Sequence, residues 1–164
     1  MSIDRTSQLQ TQLKMLYDQL DGLEMAKVTS RDEDKVMLQQ RIDLKWKEIR
    51  EKDGDYVRSL AQQIRRSDNL PEPIAQTVVG ELVDDLEMMQ PIAKTDEMRS
   101  MLKEVLTELQ KPGTSAAAKL KVAIPIIPNI LTYEIEGDTE SVVRRLFPTF
   151  VKVYEGVRSI GGKP

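Results

Sequence analysis

Five leucines, Leu9, Leu13, Leu16, Leu20 and Leu23, recur at alternating steps of four and three residues. An α-helix completes a turn every 3.6 residues, so this spacing lines up one helix face. Gln, Lys, Asp and Glu occupy most of the positions between and make the remaining faces compatible with water. The stripe suits one side of an amphipathic helix in a bundle and equally the seam of a coiled coil. In both cases the leucines need a second helix to cover them.

That second helix is expected directly downstream. The first should fray near Val28 and Thr29, and Ser30-Arg-Asp-Glu33 has the form of a capping box. In such a box the serine hydroxyl takes the amide three residues on and the glutamate reaches back. Leu38, Ile42, Trp46 (or Lys45), Ile49, Tyr56 or Val57, Leu60 and Ile64 then continue an apolar stripe along a highly charged segment, weakened midway by Gly54. The short link predicts an antiparallel helical hairpin. The second helix is longer than the first, so its far end needs another partner.

Pro71 and Pro73 disfavour helix across Asn69–Pro73, and Pro73 suits the first turn of a new one. Ile74, Val78, Leu82 and Leu86 mark a third helix ending by Pro91. Met98, Leu102, Val105 and Leu109 mark a fourth over about 96–110, with Met88, Met89, Met98 and Met101 as filler between the two. Ser115 can cap a short Ala-rich turn. The window Val122–Leu131 is the most apolar in the chain, and Pro125 and Pro128 exclude one unbroken helix through it. Alternation over Leu131, Tyr133 and Ile135 is compatible with one short strand near 130–136. A final helix carries Val142, Val143, Leu146, Phe147, Phe150, Val151, Tyr154 and Val157, and Pro148 is expected to kink or split it. The expected fold is mainly α: a helical hairpin or coiled coil over 1–68, a small helical domain over 72–160, and a free tail at 161–164.

Composition narrows the chemistry. Hydrophobic residues make up 40% and charged residues 31% of the chain, too apolar for disorder and too charged for a membrane-embedded protein. No run approaches the roughly 18 apolar residues of a membrane-spanning helix. The sequence opens without the basic start and apolar core of a secretory signal, so a cytoplasmic location is expected. There is no Cys and no His. Disulfides, zinc sites of the usual Cys/His type, Ser-His-Asp triads and Cys-His dyads are thereby excluded. Lys and Arg against Asp and Glu number 13 to 12 over residues 1–66, 4 to 10 over 67–112 and 7 to 5 over 113–164. The acidic middle and the lack of a basic stripe with interleaved aromatics argue against nucleic acid as a partner.

Two segments merit weighing as sites. Glu134, Glu136, Asp138 and Glu140 could together ligate Mg²⁺ or Ca²⁺ through oxygen. The plainer reading, which we adopt, has Asp138 capping a helix and the glutamates solvated or facing Arg144 and Arg145, so no metal or cofactor is expected. The window holding Ile124, Ile126, Ile127 and Ile130 is either an apolar connection buried under the last helix or an exposed patch that meets a partner or a bilayer surface.

The stretch Leu13-Lys-Met-Leu-Tyr-Asp-Gln-Leu-Asp-Gly-Leu-Glu24, followed by Asp34-Lys-Val-Met-Leu-Gln-Gln-Arg-Ile42, resembles short coiled-coil adaptor regions of bacterial proteins. Those regions stand beside effector-associated domains, caspase-like peptidases and STAND-type NTPases of signalling and immune systems. The segment Ile124-Pro-Ile-Ile-Pro-Asn-Ile-Leu-Thr-Tyr-Glu-Ile-Glu-Gly-Asp-Thr-Glu140 is similar to sequence in the same setting. The resemblance covers about half the chain, implies assembly rather than catalysis, and carries over no catalytic residue.

The sequence therefore leads to a non-enzymatic adaptor or oligomerisation protein that binds another protein or itself. Its expected contact residues are Leu9, Leu13, Leu16, Leu20 and Leu23 in the hairpin, with Ile124, Ile126, Ile127, Ile130, Phe147 and Phe150 as a second surface. The alternative is a membrane-acting effector using the proline-bracketed segment 122–131 and the last helix. A carboxylate-based metal enzyme is the third class considered.

Overall fold

A computed structural model describes residues 4–66, 70–93, 95–131 and 139–161. Its elements are α1 (Arg5–Thr29), α2 (Asp32–Arg66), α3 (Glu72–Met89), α4 (Asp96–Leu109), α5 (Ala116–Ala123), α6 (Ile127–Leu131) and α7 (Thr139–Gly161), with 3₁₀ turns at Gln90–Ile92 and Ile124–Ile126. The expected mainly α fold is the one observed. The chain divides into two compact units, residues 1–56 and 57–164, and the division falls inside α2.

The first unit is the helical hairpin. Asp4 caps α1 by accepting the amide of Thr6 at 3.1 Å. Pairing with α2 is antiparallel, because partners advance along one helix as they retreat along the other. Lys27 donates to Gln39, Lys45 Nζ to Gln19 Oε1 at 2.7 Å, and Tyr56 Oη to Gln10 Oε1 at 2.7 Å. Leu9, Leu13 and Leu20 are buried, as are Ile42, Trp46, Ile49 and Tyr56. Tyr17 stands edge-on to Trp46, with ring centroids 6.3 Å apart and planes at 83°, an arrangement favoured by the aromatic quadrupole.

One local detail differs from expectation. Ser30 does not cap α2. Its extended backbone and its hydroxyl both turn back to the carbonyl of Lys27, the hydroxyl at 3.0 Å, so the residue is spent terminating α1. The first turn of α2 carries Asp32, Glu33 and Asp34 instead, and its last turn Arg65 and Arg66. Both sets of charge complement the helix dipole. Gly54, expected only to weaken α2, lies within a helix continuous over 35 residues; the Gly penalty of roughly 1 kcal/mol is too small to break a helix held by burial on both sides of it.

In the second unit α3 is central and packs on α4, α5 and α7. Pro73 lies in its first turn, where a missing amide hydrogen costs nothing. Ala75, Val78, Leu82, Leu86 and Met89 form its buried face. Thr95 and Ser115 cap α4 and α5 by accepting the amides of Met98 and Ala118 at 3.1 and 3.2 Å. Glu72 accepts the Ala116 amide at 2.6 Å and so joins the starts of α3 and α5. Glu81 on α3 accepts from Thr149 Oγ1 at 3.2 Å and also binds Lys152, both on α7. Met89 and Met98 fill the core as expected, whereas Met88 is exposed and Met101 half-buried.

Pro125 and Pro128 do prevent one unbroken α-helix, but the result is a relay of α5, a 3₁₀ turn and α6. Ile130 and Leu131 belong to α6, so the start of the expected strand is helical; residues 132–138 lie outside the described residues. Pro148 does not split α7, which continues through it. It sits on the exposed side of that helix, where the carbonyl deprived of its donor can bind water.

Candidate docking face on the helical hairpin

Most of the residues expected to meet a partner are committed to the interior. Leu9, Leu13 and Leu20 have at most 2% of their surface accessible. The hairpin spends these leucines on its own closure, so they cannot form a free seam. Leu16 and Leu23 are half-buried and lie toward the edge of the stripe. Ile124, Ile127, Ile130, Phe147 and Phe150 are likewise buried, with Ile126 half-buried. The stretch Ile124–Ile130 is therefore mostly buried, while Val122 at the start of the window is exposed. Its α6 packs on α4. Glu134, Glu136 and Asp138 lie outside the described residues, as does the side chain of Glu140.

What the hairpin does present is a different set. Leu44 is 63% exposed and Met37 48%. They are seven residues apart and share one face of α2 with Arg41 and Glu48, turned away from buried Ile42, Trp46 and Ile49. Gln19, Gly22 and Leu23 of α1 together with Arg41, Leu44, Lys45 and Glu48 of α2 line a groove of about 520 Å³. Gly22 leaves its wall low, with nothing within 4 Å of where a Cβ would stand. Lys45 is held down by Gln19 and by Glu48 at 3.7 Å. Arg41 has neither a hydrogen bond nor an ion pair among the described residues. Met25, Val28 and Val36 add exposed apolar surface around the tip. Their signal in the sequence was their position: apolar residues standing off the buried stripe.

Asp53 is a strongly perturbed ionisable group. It is 1% exposed, accepts the Tyr17 hydroxyl at 3.3 Å through Oδ2, and leaves Oδ1 without a hydrogen-bond partner. Burial lifts its pKa from 3.8 to about 7, and the Tyr17 hydrogen bond pulls the other way. Sealed from solvent, the carboxyl bears on the pH dependence of the fold's stability. A second groove in the C-terminal unit, lined by Pro73, Ile74, Thr77, Val78, Lys152, Glu155 and Gly156, brings one cation and one carboxylate to a mainly apolar floor. Among the described residues no group of three or more Asp or Glu is placed to hold a metal ion, and no helix is long and apolar enough to cross a membrane. No protein-family model, curated protein or solved structure matches the chain.

Proposed function

We propose that this chain is a non-enzymatic helical adaptor or oligomerisation protein, working through the outer face of its N-terminal hairpin, in the bacterial signalling or defence setting that the sequence resemblance implies. The observation that carries the proposal is exposed Leu44, which lines the groove with Leu23, and exposed Met37 seven residues before it on the same face of α2. A lone exposed leucine needs no explanation, but apolar side chains in helical register beside an apolar-floored groove are the usual make-up of a contact surface. The leucine stripe supports the same reading indirectly. It makes the hairpin stiff, and a stiff face loses little conformational entropy on binding.

The test compares the wild type with Leu44→Glu, a substitution on the surface that leaves the buried stripe intact. Sedimentation velocity over a wide concentration range reports self-association, and affinity capture reports other proteins. Loss of association or of captured partners in Leu44→Glu supports the reading. A wild type that stays monomeric and captures the same proteins as Leu44→Glu overturns it.

A further inference from the structure

We infer that the occupant of the hairpin face is a second copy of this chain, with the two α2 helices antiparallel about a two-fold axis passing between Leu44 and Lys45. The inference rests on the reading above that this face is a contact surface, and it names the partner.

The order of side chains along the exposed line of α2 points to such a partner. Arg41 stands one turn before Leu44 and Glu48 one turn after it. A cation, an apolar centre and an anion in that order are complementary to the same order reversed. Two-fold symmetry supplies that reversal, because residue i then meets residue j while j meets i. About this axis Arg41 of each copy faces Glu48 of the other, the two Leu44 side chains lie together at the centre, and Met37 reaches the aliphatic stem of Lys52. An unrelated partner would need to present the reversed pattern independently.

The charges have no better use within one chain. Arg41 and Glu48 are seven residues apart, about 10.5 Å along the helix at 1.5 Å per residue, too far to pair with each other. Among the described residues the ion pair of Glu48 is with Lys45, at 3.7 Å, and both its carboxylate and Arg41 are largely exposed. Gly22 lines the same groove with open space where a Cβ would stand, so a second helix can approach the groove closely there.

Charge reversal on the full chain tests this pairing. Arg41→Glu sets carboxylates against Glu48 of the other copy, and Glu48→Arg sets guanidinium groups against Arg41. Each substitution acts twice in a symmetric dimer and is expected to raise the dimer dissociation constant about tenfold or more. The double variant R41E/E48R exchanges the two signs and is expected to recover wild-type affinity to within about threefold. Sedimentation equilibrium at low salt measures all four proteins, and circular dichroism confirms that each keeps its helices. A monomeric wild type overturns the inference. So does a dimer insensitive to the single reversals, or a double variant no better than either single. A monomeric wild type whose captured partners are lost in Leu44→Glu overturns self-pairing alone; if those partners persist as well, the contact-face reading falls with it.

Discussion

Replacing Asp53 by Asn should stabilise the protein at neutral and alkaline pH and do little in acid. The carboxyl is buried, one oxygen has no partner, and its pKa stands at about 7 against 3.8 when unburied. Each tenfold change in proton affinity is worth about 1.4 kcal/mol, so the full difference is on the order of 4 kcal/mol. The sign follows from proton uptake. Between 3.8 and about 7 the folded chain holds a proton here that the unfolded chain has lost. Stability attributable to this site therefore falls as pH rises through that window and is level above it. Asn has nearly the same shape, carries no charge, and keeps an oxygen for the Tyr17 hydroxyl. The stabilisation of Asp53→Asn over wild type should grow by about 2–3 kcal/mol between about pH 5 and about pH 8. Urea unfolding at several pH values, followed by the fluorescence of Trp46 edge-on to Tyr17, measures it. Subtracting the two proteins cancels every other titrating group. A difference that is flat with pH, or that favours wild type at high pH, would show that Asp53 is ionised in the folded chain without penalty and that the argument from burial is wrong.

Other expectations follow from packing and capping. Leu13→Ala removes a fully buried side chain from the hairpin and should cost about 3 kcal/mol in urea unfolding, whereas Leu44→Ala should cost under about 0.5 kcal/mol. Gly156→Ala puts a methyl 2.9 Å from Leu70 Cδ1 and 3.2 Å from Ile74 Cγ2; it should lower stability by about 1 kcal/mol, and Leu70→Ala should relieve part of that in a double-mutant cycle. Thr95→Ala removes the acceptor for the Met98 amide and should cost about 1 kcal/mol, with Thr95→Ser retaining most of it. Ile127→Asp buries a carboxylate at a site 1% exposed and should unfold the C-terminal unit, seen as lost helical dichroism, rather than yield a folded protein with altered surface properties.

Helix type and most inward-facing residues were legible in the sequence, because apolar spacing near 3.6 residues reports which side of each helix faces inward. Leu9, Leu13, Leu20, Val78, Leu82, Leu86, Leu102 and Leu109 were assigned from periodicity and are buried. So were the caps at Ser115 and the placement of Pro73 in a first turn. Ser30 misled because a hydroxyl between two helices can serve either, and local sequence does not decide which carbonyl or amide lies nearer.

The candidate face was not legible in the same way. A leucine stripe states that something must cover it, but the covering helix is identical in sequence terms whether it comes from the same chain or another. Only the tertiary structure decides this. Once α2 folds back on α1, the leucines are spent, and the surplus apolar residues Met37 and Leu44 become the available surface. The proline-bracketed isoleucines illustrate the same point in the other unit. Their composition announced an apolar segment, and the packing of α6 on α4 determined that it lies inside. Periodicity along a helix is a local property and is written in the sequence; which apolar face meets which is settled by contacts between distant residues, and only the folded chain contains them.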